Sequence, residues 1–190
     1  MKPPAPLAVL ACIIGLACAS PTPPAPQPAA QAQPEKPVIV GDTTRERIEA
    51  APEWAVAEKE SRPDPEASRG LASVPPGAEV TIFLGTWCGD SRREVPRFWK
   101  ALDLAKEAGT DVPFAIHYIG VDRQKKEPSA PVTNNDIRYV PTFLVHREGR
   151  EVGRIVEESP HGIEKDLLAL LTGQAHGLIT TRTDLAPSSP

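Results

Sequence analysis

Residues 80–96 read VTIFLGTWCGDSRREVP, and the succession of residue types within them governs how the rest of the chain is read. Residues 80–84 are a continuous apolar, β-branched run bounded by turn residues, the pattern of a strand buried on both faces. From Ser91 onward, Val95, Phe98, Trp99, Leu102 and Ala105 recur at helical spacing until Gly109. That spacing predicts an amphipathic helix over 91–108 closed by glycine. Pro96 falls about one turn into it and is expected to kink it. Cys88 therefore stands where a buried strand hands over to a helix, and the unsatisfied N–H groups of a first helical turn favour thiolate there. Arg92 and Arg93 add positive potential, Asp90 opposes it, and Ser91 is placed to donate an O–H hydrogen bond to the sulfur.

Working outward, residues 114–121 predict a second strand ending at Asp122, whose carboxylate suits a cap on the turn at Arg123. A polar connection over 123–131 and a short helix or turn at 134–137 lead to Tyr139-Val140-Pro141. Residues 142–145 and 152–156 flank Arg147-Glu148-Gly149-Arg150, a hairpin turn with glycine where positive φ is needed. Ser159-Pro160 has the form of a helix start, cap followed by first-turn proline. Ile163, Leu167, Leu170 and Leu171 form that helix's apolar stripe, and Gly173 ends it. Upstream, 38–40 suits a short edge strand, and Thr43 with Glu46 has the capping-box spacing. The helix beyond is interrupted at Pro52 and resumes to Lys59 with Trp54 as its anchor, and proline-rich 62–76 reads as a surface connection. The order strand, helix, strand, then proline, hairpin and helix predicts an α/β domain: a small mixed β-sheet flanked by helices.

Two stretches carry a family resemblance. Trp87-Cys88-Gly89 with Pro96 resembles the active-site segment of the thioredoxin superfamily, and Tyr139-Val140-Pro141-Thr142 resembles that family's loop with a cis-proline facing the cysteine. The resemblance covers roughly residues 79–171 and implies a thioredoxin-like fold. It further implies that Cys88 is the catalytic residue, with Trp87, Gly89, Asp90, Ser91 and Arg92 as the motif around it. Val140, Pro141 and Thr142 would bind substrate, the backbone there pairing with an extended peptide. The departures matter as much. The family's second cysteine is Ser91 here, giving C-x-x-S, its buried acidic residue falls on Ile82, and Asp90 replaces a common proline. From the residues alone, Cys88 also admits a reading as a small buried hydrophobe, Trp87 as core, and Pro141 as an ordinary trans proline, the commoner state of any X-Pro bond.

The ends differ in composition. Residues 1–18 read as a signal peptide, with Lys2 before an apolar core over 7–17 that is too short to span a bilayer. Gly15-Leu16-Ala17-Cys18 resembles a bacterial lipobox, which would make Cys18 a lipidation site and the mature N-terminus. Ala17-Cys18-Ala19 also fits ordinary signal cleavage, leaving a soluble secreted or periplasmic protein. Residues 19–37 are a Pro/Ala/Gln tether of nineteen residues, able to reach about 60 Å as an extended polyproline-like chain. Residues 38–173 are the folded domain with an N-terminal helical extension, and 174–190 a polar C-terminal tail without an assigned role.

The chemistry follows from counting. The chain has 3 cysteines. Once the signal is removed Cys12 is gone and Cys18 lost or lipidated, so Cys88 has no intramolecular partner. What remains is monothiol chemistry: exchange or isomerisation of disulfides with an external resolving thiol, deglutathionylation-like transfer, or formation and repair of a sulfenic acid. The alternative is a non-catalytic peptide-binding module on the cell envelope. The expected partners are protein or small-molecule thiols and disulfides, and the membrane through a lipid on Cys18. The chain is expected as a monomer. A net charge of −4 gives no reason to expect nucleic acid. No cofactor is expected, and one cysteine with 4 histidines scattered over strands and surface predicts no metal site.

Overall fold

The computed structural model describes residues 37–185 apart from 108 and 110. The expected signal segment, with Cys12 and Cys18, and all but the last residue of the expected tether lie outside the described residues. In chain order the elements are β1 (Gly41–Thr43), α1 (Arg45–Glu49), α2 (Pro52–Glu60), α3 (Pro65–Gly70), β2 (Ala78–Leu84), α4 (Gly89–Glu107), β3 (Phe114–Gly120), α5 (Ser129–Asn134), β4 (Thr142–Arg147), β5 (Arg150–Val156), α6 (Ile163–Thr172) and β6 (Gly177–Ile179). The strands form one six-stranded sheet in the order β1-β3-β2-β4-β5-β6.

Strand β2 pairs parallel with β3 and antiparallel with β4. An interior strand of this kind has neither a free edge nor a wet face, which is why 80–84 carries no polar alternation beyond Thr81. Val80, Ile82 and Leu84 enter the larger core with Phe98, Trp99, Phe143 and Leu167. Phe83, pointing the other way, joins a smaller cluster of Val121, Val132, Ile137, Val140 and Leu144. Helices α1, α2, α4 and α6 supply the first core, with α3 packed on α4 and α6, whereas α5 covers the second face through Val132. The helical stripe read from the sequence is the buried one, since Val95, Phe98, Trp99 and Ala105 are solvent-free and Leu102 partly so. Trp54 anchors α2 as expected, its ring 5.8 Å from that of Trp99. The β4–β5 hairpin turns through Glu148 and Gly149, both at positive φ (53° and 72°), the two-residue geometry for which glycine is suited.

Several boundaries differ from expectation, each for a local reason. The edge strand is Gly41–Thr43, not 38–40, and pairs antiparallel with β3. Because Thr43 is still paired with Tyr118, the helix cap passes to Thr44, whose hydroxyl accepts from the Arg47 N–H at 3.3 Å. The supposed surface connection over 62–76 contains α3, capped by Asp64, whose carboxylate accepts from the N–H groups of Glu66 and Ala67. Its Ala67 and Ser68, and Leu71 and Val74 just beyond it, are buried; Asp64-Pro65 was a cap and first-turn proline hidden among other prolines. Helix α5 ends at Asn134, where a helix or turn was expected to begin.

Helix α6 begins at Ile163 rather than at Ser159-Pro160. The Asp166 carboxylate draws the Ser159 hydroxyl and the His161 N–H into a loop ahead of the helix, and Gly162 turns the chain at φ 101°. The C-terminal stretch is more than a polar tail: Gly177–Ile179 adds β6 to the sheet, parallel to β5. Arg182 then pairs with Glu157 at 2.7 Å and with Asp184, and stacks 3.9 Å from the Tyr139 ring centre.

Candidate functional site

Between β2 and α4 the chain makes one tight turn, in which the Cys88 N–H donates to the Gly85 carbonyl at 2.9 Å. The Cys88 carbonyl accepts from the Arg92 N–H at 3.2 Å, so Cys88 stands immediately before α4 and accepts its first helical bond. Pro96, inside α4 and buried, has no N–H to give the Arg92 carbonyl, which loosens the helix one turn from the cysteine. Trp87 folds back over the turn and donates its indole N–H to the Val121 carbonyl at 3.0 Å. A Cβ on Gly85 would stand 2.7 Å from Trp87 Cε2. Only a residue without a side chain lets the indole lie there.

Cys88 is half-buried. With Trp87 it packs against the small cluster of Phe83, Val121, Val132, Ile137, Val140 and Leu144. The Val140-Pro141 peptide bond is cis, and Cys88 Sγ donates to the Val140 carbonyl oxygen at 3.2 Å. That contact belongs to the thiol; a thiolate, lacking the hydrogen, gives it up. The loop is tied down on its far side. The Glu157 N–H donates to the Pro141 carbonyl at 2.8 Å, and the Thr142 hydroxyl to the Tyr139 carbonyl at 2.8 Å. Val140, Pro141 and Thr142 are all buried, so this backbone is a rigid wall for the sulfur.

The remaining motif residues do not all face Cys88. Gly89 begins α4, and Asp90 pairs with Arg93 at 2.8 Å. Ser91 is fully buried, and its Oγ accepts from the Gly85 N–H at 3.2 Å. This bond ties helix start to strand end, and the expected O–H hydrogen bond from Ser91 to the sulfur is absent among the described residues. Arg93 also reaches Glu94 at 3.0 Å; burial pushes the Glu94 carboxyl up, against the pull of Arg93 and Arg97. Ile82 is solvent-free within the apolar core. Arg92 is partly exposed and has no carboxylate within ion-pair distance among the described residues.

Sequence reasoning missed two cations. Arg123 and Lys125 sit 5.8 and 5.7 Å from the Trp87 ring centre, held there by the turn that Asp122 organises. The Asp122 carboxylate accepts from the N–H groups of Glu127 (2.9 Å), Lys126 (2.6 Å) and Gln124 (3.3 Å). Those amides, Glu127's foremost, hold its carboxyl below the usual range. The capping role of Asp122 was legible; that the capped loop folds over Trp87 had no signal in the sequence. Among the described residues no three His, Cys, Asp or Glu side chains are grouped to hold a metal ion.

No family model matches the chain. It is 25% identical over 101 residues to a thioredoxin-like protein of Acanthamoeba polyphaga mimivirus, covering 53% of this chain and 68% of the viral protein. It is 31% identical over 78 residues to thioredoxin-2 of Pyricularia oryzae, covering 41% of this chain but only 40% of the fungal one. Among solved structures, a Pseudomonas aeruginosa protein of unknown function aligns at a TM-score of 0.47 and 16% identity, covering 70% of this chain and 87% of that one. With a mixed six-stranded sheet, helices on both faces and relatives named as thioredoxin-like protein and thioredoxin, the chain has a thioredoxin-like fold.

Proposed function

We propose that this is an exported thioredoxin-like protein that exchanges thiols and disulfides through Cys88 alone, with a resolving thiol supplied from outside. The observation that carries the proposal is the setting of one sulfur: half-buried at the opening of α4, 3.2 Å from the Val140 carbonyl and beside the cis Pro141. The names of the sequence relatives, thioredoxin-like protein and thioredoxin, point to the same general chemistry. Cys88 is the one cysteine among the described residues, and the position two residues after Gly89 holds a buried serine.

The exchange proceeds in two balanced steps. The Cys88 thiolate attacks one sulfur of a substrate disulfide RS–SR′; that bond breaks, Cys88–S–SR forms and R′S⁻ leaves with the electron pair. An external thiolate R″S⁻ then attacks the substrate-side sulfur, returning the Cys88 thiolate and yielding RS–SR″. Trp87 and the Val140–Thr142 backbone form the walls that orient the incoming disulfide. Residues 1–18, with a lipid on Cys18, and the following tether would place this chemistry on a bacterial cell envelope. The mass of the mature N-terminal peptide distinguishes the lipoprotein from a soluble secreted form.

One observation favours a second reading. With its hydrogen given to the Val140 carbonyl, Cys88 is in a thiol arrangement, and Ser91 cannot resolve a mixed disulfide. Those features suit a peptide-binding module with an idle cysteine. Titration with dithiobis(nitrobenzoate) separates the two. Exchange predicts one nitrothiobenzoate released from Cys88 of the native protein, absent in Cys88→Ser, and full recovery of the thiol on adding a monothiol. Reaction only after denaturation would leave the binding module in its place.

A further inference from the structure

Among the described residues, cations with no carboxylate within ion-pair distance lie beside both chain neighbours of Cys88, although the whole chain is acidic at −4. On one side, α4 presents Gly89, Arg92, Arg93 and Arg97 along one face, at i, i+3, i+4 and i+8. Facing them across a groove of about 440 Å³ are α2 and the residues that follow it, which bring Glu53 and Glu60 as well as Arg62 to its lining. Arg93 and Arg97 are neutralised, by Asp90 with Glu94 and by Glu164. Arg62 donates to the carbonyls of Lys59 and Ser61 and shares the groove with Glu53 and Glu60, whereas Arg92 has no carboxylate within ion-pair distance among the described residues. The groove reaches Gly89, the residue after the cysteine. On the other side, Arg123 and Lys125 lie against Trp87, the residue before it, likewise without a carboxylate in ion-pair range among the described residues. The acids closest in sequence are engaged: Asp90 by Arg93, and Asp122 by three backbone amides.

We infer that the site selects an anionic substrate: a thiol or disulfide carrying carboxylates near its sulfur, as in an acidic peptide or a small carboxylated thiol. Its negative charge is received by Arg92 on the groove side and by Arg123 and Lys125 on the Trp87 side. This rests on Cys88 being a reactive thiol, and it adds a charge preference that reactivity alone does not require. Cations close to a reacting sulfur raise the local concentration of anions, an effect that falls with ionic strength.

The test compares alkylation of the native protein by iodoacetate, which is anionic, and iodoacetamide, its neutral counterpart. In each case the Cys88 sulfur displaces iodide and the thioether is read by mass. The iodoacetate-to-iodoacetamide rate ratio, normalised to that of a free cysteine peptide, is expected to exceed one at low salt. It should fall about two- to fivefold in Arg92→Gln and again in Arg123→Gln/Lys125→Gln, and approach the peptide value near ~1 M salt, where the Debye length is about 3 Å. Arg150→Gln, on the distant hairpin, should leave the ratio where it is. A wild-type ratio equal to the peptide's, or one indifferent to salt and to both variants, overturns the charge preference while leaving Cys88 reactive. Failure of the native protein to react with iodoacetamide at all overturns the exchange chemistry, and this inference with it.

Discussion

Replacing Gly85 by alanine tests how the turn before Cys88 is built. No left-handed backbone is involved at Gly85, so the substitution is a purely steric probe. The added Cβ would meet Trp87 Cε2 at 2.7 Å and Cζ2 at 2.9 Å, well inside contact distance and against a ring whose indole N–H is fixed to Val121. Overpacking of this kind costs about 1–3 kcal/mol, and breaking the indole hydrogen bond adds about 1 kcal/mol. For a domain of this size that is roughly 2–4 °C of Tm per kcal/mol. Denaturant unfolding of Gly85→Ala, Trp87→Ala and the double variant gives the coupling directly. Because the clash needs the indole, Gly85→Ala is expected to be nearly neutral in the Trp87→Ala background, with a coupling of about 1–3 kcal/mol. Additive effects would refute the packing account of this turn.

Three further expectations follow from the same coordinates. Glu164 is solvent-free, held by Arg97 through two hydrogen bonds (2.7 and 2.9 Å) and by the Asp64 N–H at 2.9 Å. Glu164→Ala should destabilise by about 3 kcal/mol, the low end for a broken buried pair because Arg97 is partly exposed; a loss below about 1 kcal/mol in thermal unfolding would contradict this. Burial, reinforced by Glu49 and Asp103, pushes the Glu58 carboxyl up to about 7 despite Arg45 beside it. The folded chain then keeps a proton that the unfolded chain, with an ordinary value of 4.5, has released. This contribution is full below about 4.5 and is lost as pH rises through about 7, so Glu58→Gln should flatten the decline in stability across that window; an unchanged slope would contradict it. Arg182→Ala removes the tie from the C-terminal segment to Glu157 and Tyr139. Hydrogen exchange of the β6 and 139–142 amides should speed up while the Tm stays nearly constant, and unchanged protection would count against the tie.

How much of this was legible in the sequence depends on whether the signal was local. The β2–Cys88–α4 handover and the α4 and α6 stripes were readable because each is a periodic pattern within one element. Pro141 and its cis bond came from the family resemblance alone, and nothing in the residue pattern requires it. The capped helix α3 was hidden because the prolines around Asp64-Pro65 read as a breaker cluster. Strand β6 was missed because three residues at a sheet edge have no period to detect. The orientation of Ser91 is a tertiary matter: whether its hydroxyl turns to Cys88 or to Gly85 is decided by the packing of α4 against β2, which residue types do not encode. The same holds for Arg123 and Lys125, placed over Trp87 by a turn whose cap was visible but whose direction was not.

The central claim is that one cysteine sustains turnover when a second thiol comes from solution. The direct measurement is steady-state reduction of a peptide mixed disulfide by a small monothiol, with and without the protein, monitored by mass. The account predicts rate acceleration proportional to protein, a Cys88–peptide disulfide trapped on acid quench, and no acceleration by Cys88→Ser. Acceleration that survives Cys88→Ser, or a native wild-type protein that neither accelerates the reaction nor forms the trapped disulfide, would contradict it.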